Sequence, residues 1–166
     1  LVALLGLSIG ITLGFAAGII SCKRLASPTI TRIVQGYIFI VQGTPLYVQL
    51  LLTCFALPAL WNGQVDPLVA GIVTIGFNSV AYIAQIVRGG LNGIPVGQWE
   101  AAYVLGYSQS ATLWYIILPQ TIRTILPALI NETISLVKET SIMGAVGVIE
   151  LTKVTRDAIS RTLEPQ

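Results

Sequence analysis

The chain has 166 residues, of which 54% are hydrophobic and only 10% charged, with a formal net charge of +2. A soluble domain carries about 25% charged residues, so a water-soluble globular protein is excluded, and so small a net charge leaves no case for nucleic acid. There is no His and there are only two Cys, which excludes a His/Cys metal site and leaves Cys22 and Cys54 as small packing residues.

Three stretches contain no charge: Leu1 to Cys22, Ile33 to Val65, and Pro67 to Val87. Each can supply the roughly 20 apolar residues that cross a bilayer as a helix. Backbone groups in lipid must pair within their own segment, so helices are the expected spanning structure. The predicted fold class is all-α, a polytopic helical membrane protein forming one transmembrane domain over 1–166.

The first span, 1–22, is too long for a cleavable signal core and no small-residue cleavage pattern follows it. Gly6, Gly10, Gly14 and Gly18 recur every four residues, lining one helical face along which another helix can approach closely. Packing within the subunit outweighs a seam between two copies. Lys23 and Arg24 place the end of this span in the cytoplasm.

Residues 27–41 read as a helical segment near the inner surface. Gly43-Thr44-Pro45 opens a second span, 43–60, with Thr44 as its cap, Pro45 in its first turn and Pro58 at its exit. Asn62-Gly63-Gln64 forms an outer turn. Asp66-Pro67 repeats the cap-and-proline start for a third span, 67–87, which closes at Arg88-Gly89-Gly90. A less hydrophobic section, 89–115, is broken by Pro95, Gly97 and Gly106 and reads as short helices in a cytoplasmic loop. The fourth span, 116–137, tilts or kinks around Pro119 and Pro127. Five basic residues then fall inside (Lys23, Arg24, Arg32, Arg88, Arg123) and four outside (Lys138, Lys153, Arg156, Arg161), a weak bias.

The loop carries the specific signal. Glu100-Ala101-Ala102, then Gly106, then Ile116-Ile117-Leu118-Pro119 match E-A-A-x3-G-x9-I-x-L-P without a gap. This resembles the signature loop of permease subunits in bacterial binding-protein-dependent ABC importers. The segments 41–58, 81–102 and 128–152 are similar to the polar amino acid branch, the histidine, glutamine and arginine permeases. The resemblance implies a MetI-like type I importer core in the inner membrane, with about four of five spans present and the C-terminal one missing. It also implies partners: an ATP-binding subunit that holds ATP and Mg, an extracytoplasmic amino-acid-binding protein, and a second permease subunit. The chain itself would need no cofactor and perform no catalysis.

The physics of the loop agrees with that expectation. A short helix started by Pro95 and stopped by Gly106 would present the small Ala101 and Ala102 to a partner, with Glu100 near the helix start to favour the dipole and pair with a basic group. Glu100, Ala101, Ala102, Gly106, Leu118 and Pro119 are therefore the candidate coupling residues. Polar groups inside spans usually face a cavity or the bundle interior. Asn131, Glu132 and Ser135 of the fourth span, with Asn78 and Tyr82 of the third, are candidates for a substrate pathway. A zwitterion would place its ammonium on carboxylate or amide oxygens and its carboxylate on backbone dipoles. Helix-to-helix hydrogen bonding is the competing explanation of the Asn78 face.

Three positions depart from the branch pattern: Gln42 where Arg is common, Gln85 where Glu is common, and Val96 where a basic residue is common. Gln42 and Gln85 are expected to form an amide pair in place of an ion pair. An enzyme is disfavoured, because there is no G-x-S-x-G or P-loop and Glu132 and Asp157 are isolated carboxylates. The alternative is a secondary, ion-coupled amino acid transporter, which calls for inverted repeats and leaves the Glu100 loop unexplained.

Overall fold

A computed structural model describes residues 2–25, 27–60, 62–148, 154–155 and 158–160. Lys153, Arg156, Asp157 and Arg161 lie outside the described residues. All regular structure among the described residues is helical.

Helix α1 spans Val2–Ile20 and α2 spans Pro28–Gln42, the latter capped by Ser27 Oγ, which accepts from the Ile30 N–H at 3.4 Å. Helix α3 (Leu46–Leu51) continues through a π-helical stretch (Leu52–Ala56) into α4 (Leu57–Ala59). Helix α5 runs over Pro67–Gly93 and α6 over Val96–Val104. Helix α7 (Gln109–Ala111) passes through a second π-helical stretch (Thr112–Ile117) into α8 (Leu118–Glu139), which ends in a 3-10 turn at Thr140–Val146.

Among the described residues, three stretches are long and apolar enough to cross a membrane: Val2–Ile20, Pro67–Gly93 and Gln109–Val146. The pair Pro28–Gln42 and Leu46–Ala59 would make a fourth, but it is bent by 97°. The segment 43–60 is thus no straight span of its own. Its elbow falls at Thr44-Pro45: proline disfavours the helical region for Thr44 before it, and Pro45 itself is an extended N-cap of α3 at φ −60° and ψ 135°. Thr44 serves the preceding helix: its hydroxyl donates back to the Ile40 carbonyl at 3.0 Å. Asp66, by contrast, does cap α5, accepting from the Leu68 N–H at 2.7 Å with Pro67 in the first turn. Arg88-Gly89-Gly90 does not close α5, which continues to Gly93 and takes residues 89–93 out of the loop.

Both π-helical stretches have the same cause. Proline lacks an N–H and its ring clashes with the carbonyl four residues back. In each stretch the residue before a proline closes the widened turn, Leu57 N–H to the Leu52 carbonyl before Pro58, and Leu118 N–H to the Leu113 carbonyl before Pro119. The helix continues past Pro119 and Pro127, whereas α4 ends at Ala59, one residue after Pro58, as expected of an exit.

Helix α5 is the central rod. The glycine face of α1 lies directly on it: β-carbons built at Gly6, Gly10, Gly14 and Gly18 would meet Ile75, Ser79, Ile83 and Val87, all within 2.9 Å. Each step of four on α1 matches a step of four on α5, so the two helices run parallel. The four glycines are spent inside the subunit. Helix α8 runs antiparallel to α5, since Gly90 abuts Thr121 and Ile125 while Gly71 abuts Met143 at the other end. Helix α2 crosses α5 where the Tyr37 hydroxyl donates to the Phe77 carbonyl.

Candidate functional site

Helix α6 sits at the Arg24 end of the bundle, together with the end of α5 that carries Arg88. It has two faces. Trp99, 1% exposed, and Ala102, 2% exposed, turn inward, and Trp99 packs with Cys22, Val87, Leu91, Ile94, Leu113, Ile117 and Leu118. Outward lie Glu100, Ala101, Tyr103 and Val104, the last 88% exposed, followed by exposed Leu105 and Tyr107. Glu100 has no hydrogen bond or ion pair among the described residues. It is the fifth helical residue, beyond the first turn, so the dipole contributes little there.

Gly106 ends the helix for a stated reason. It stands at φ +82°, a left-handed conformation that glycine adopts without penalty. Its N–H donates to the Tyr103 carbonyl and that of Tyr107 to the Ala102 carbonyl, both at 3.0 Å, which is the Schellman closure. Leu118 is buried behind α6, whereas Pro119 is exposed. Of the six residues named for coupling, Ala102 and Leu118 therefore seat the helix, Gly106 stops it, and Glu100, Ala101 and Pro119 remain open to a partner.

The polar residues of the third and fourth spans divide in two. Asn78 Nδ2 donates to Gln49 Oε1 at 3.2 Å. Gln49 Nε2 in turn donates to the Val41 carbonyl at 2.8 Å and to Thr44 Oγ1 at 2.8 Å, so one amide braces the α2–α3 elbow against α5. Glu132 lies on the α8 face toward α5, beside the Ser79 hydroxyl and within electrostatic reach of Glu139. Both carboxylates act on the Tyr82 phenol. Ser79 is 1% exposed and its Oγ completes no hydrogen bond; the approach to Glu132 is too loose for one. Asn131 and Ser135 are exposed on another face of α8 and are not brought to this cluster.

A family model described as "Binding-protein-dependent transport system inner membrane component" matches residues 10–165. The chain belongs to that family. It is 38% identical over 160 residues to the glutamine transport system permease protein of Escherichia coli (strain K12), covering 96% of this chain and 72% of that protein. It is 37% identical over 145 residues to the arginine transport system permease protein of Bacillus subtilis (strain 168), covering 87% and 64%. Among solved structures, an amino acid ABC transporter crystallised with histidines superposes at a TM-score of 0.84 with 34% identity, over 96% of this chain and 73% of the other. A methionine ABC transporter in an inward-facing conformation superposes at 0.69 with 22% identity and supports the fold alone.

As an inner membrane transport component the chain belongs to a family of permeases, which are not themselves enzymes, and the secondary-transporter alternative falls away. Sequence reasoning missed Gln49, and missed the link between Glu139 and Glu132. Gln49 was visible as a lone amide in an apolar run, and Glu139 stands seven residues after Glu132, two helical turns along one face. No hydrogen bond joins Gln42 to Gln85 among the described residues. Gln85 instead lines a groove of about 470 Å³ with Gly89, Ile94, Thr124 and Ile125, and the amide pair that does form is Gln49 with Asn78.

Proposed function

We propose that this permease component imports polar amino acids, pairs with a second permease subunit, and is driven by an ATP-binding subunit that docks on the outward face of α6 and holds ATP and Mg. An extracytoplasmic binding protein delivers the substrate at the opposite end. The observation that carries this reading is α6 itself: a nine-residue helix at the Arg24 end, fixed at its back by Trp99 and presenting an unpaired carboxylate among exposed apolar side chains. Exposed apolar surface bordered by charge marks a protein-binding site. The relatives named for glutamine and arginine, and the transporter crystallised with histidines, support the polar amino acid class.

The pathway assigned is the α5–α8 cluster, where Glu132 with Tyr82 offers an ammonium group its acceptors, and Asn78, bonded to Gln49, borders it one turn along α5. Asn131 and Ser135 extend it along the neighbouring face of α8, where a second subunit would meet them. The test is reconstitution of the full-length permease with its co-purifying subunits in proteoliposomes. Uptake of glutamine, arginine or histidine that requires internal ATP and the binding protein supports the reading. Uptake driven by an ion gradient alone overturns it.

A further inference from the structure

The short turn that leaves α1 touches the α6 loop on all sides. Before α6, Asn92 Oδ1 at the end of α5 accepts from the Lys23 backbone N–H at 3.2 Å and from Cys22 Sγ at 3.5 Å. On α6, the Arg24 guanidinium carbon stands 5.6 Å from the centroid of the Trp99 ring, within the range of a cation–π contact. After α6, Gln109 Nε2 donates to the Arg24 carbonyl at 3.0 Å. Leu25 packs against the same buried cluster that holds Trp99. Residues 22–25 thus hold the segment before the loop helix, the helix itself, and the segment after it.

This arrangement has a mechanical meaning. Helix α6 is joined covalently to α5 and α8, and nothing in the chain order joins it to α1. Trp99 carries no hydrogen bond on Nε1 although it is buried, so its grip is packing plus the overlying cation, and no fixed polar bond ties the ring to one neighbour. Further along, the glycine backbone of α1 lies directly against α5 side chains: at Gly18 a β-carbon would sit 2.6 Å from the Val87 β-carbon and 3.0 Å from the Ala84 carbonyl oxygen. Close-packed surfaces of this kind transmit displacement rather than absorb it.

We propose that Arg24 and Trp99 clamp the α6 loop to the exit turn of α1, so that α1 and α5 move as one body with α6 when the ATPase displaces it. Both are positioning residues; neither touches substrate or nucleotide. The proposal rests on the reading of α6 as the ATPase contact and adds a second route for the force, through α1.

The experiment uses the full transporter complex in proteoliposomes, with four permease variants: Arg24→Gln, Arg24→Lys, Trp99→Leu, and Arg24→Gln combined with Trp99→Leu. Three quantities are read: the amount of ATPase subunit that co-purifies, ATP hydrolysis, and substrate imported per ATP hydrolysed. The clamp predicts unchanged co-purification for Arg24→Gln, with import per ATP falling threefold or more. Arg24→Lys keeps a cation over the ring and retains most of the parent ratio. Adding Arg24→Gln to Trp99→Leu lowers the ratio no further than Trp99→Leu alone, because the partner is already gone. A parent import ratio in Arg24→Gln overturns the clamp, as does a fall that only tracks lost ATPase subunit. Glu100→Ala, run in parallel, tests the other reading: if it leaves ATPase recovery intact, the docking assignment of α6 fails whatever the clamp variants do.

Discussion

Gly14 of α1 lies so close to α5 that a β-carbon there would stand 2.8 Å from the Ile83 β-carbon and 3.1 Å from the Val80 carbonyl oxygen. The contact is backbone against branched side chain, with no flexible group to yield. Adding one methyl to a packed interior costs about 1–3 kcal/mol.

Gly14→Ala is therefore expected to lower the thermal midpoint of the purified protein in detergent, and Gly10→Ala should do the same against Ser79. Gly36 serves as the control, because nothing lies within 4 Å of a β-carbon built there. Gly36→Ala sits in mid-helix and should stabilise by about 0.5–1 kcal/mol through lost chain entropy. Equal midpoints for Gly14→Ala and Gly36→Ala would remove the close seam.

The bracing amides permit a sharper measurement. Gln49→Ala and Asn78→Ala each break the 3.2 Å bond between α3 and α5. A double-mutant cycle on unfolding free energy should return a coupling of about 0.6 kcal/mol, the average for hydrogen bonds between membrane helices. Strict additivity would mean that the two amides do not interact.

Gly106 offers a test of the loop's geometry. Its φ of +82° costs an alanine about 1–2 kcal/mol, and the helix end would refold locally to avoid it. Gly106→Ala is expected to leave membrane insertion and expression intact while reducing the ATPase subunit recovered with the permease. The read-out is the stoichiometry of the purified complex; parent stoichiometry would show that the closure of α6 has no bearing on docking.

Much of this was legible in the sequence because its signals are local. The glycine face of α1, the Asp66-Pro67 start of α5 and the Gly106 stop of α6 each follow from what one residue type permits within a turn. The elbow at Gly43-Thr44-Pro45 was read as the opening of a straight span, since composition reports apolar length and not direction. Pro58 stands at the exit the sequence suggests, since α4 ends at Ala59, and Pro119 stays within a helix; composition marks both prolines but does not say that the chain widens one turn ahead of each. The split of Glu132 from Asn131 and Ser135 was also hidden. All three are polar and adjacent in sequence, and only the register of α8 against α5 decides which one faces Ser79 and Tyr82. Nothing in the sequence singles out Trp99, because Arg24, which lies over its ring, is 75 positions earlier.

Glu132 provides the test of the pathway. A hydrogen bond to a charged group is worth about 1.5–3 kcal/mol, so Glu132→Gln should reduce ATP-driven uptake at low substrate by about tenfold to a hundredfold. Ser135→Ala, on the exposed face of α8, should cost far less. Initial rates of uptake in proteoliposomes provide the measurement. Unchanged uptake and selectivity in Glu132→Gln would move the path away from the α5–α8 cluster.

The most direct test of the whole account is the recovery of ATPase subunit with Glu100→Ala. Glu100 is exposed, has no partner within the described chain and contributes nothing visible to the fold, so the variant should insert and purify as the parent does. The account predicts that the co-purifying ATPase subunit falls about thirtyfold or more, since removing one member of a hydrogen-bonded charge pair across an interface costs at least about 2 kcal/mol. Full recovery of that subunit, with ATP-driven uptake at the parent rate, would contradict it.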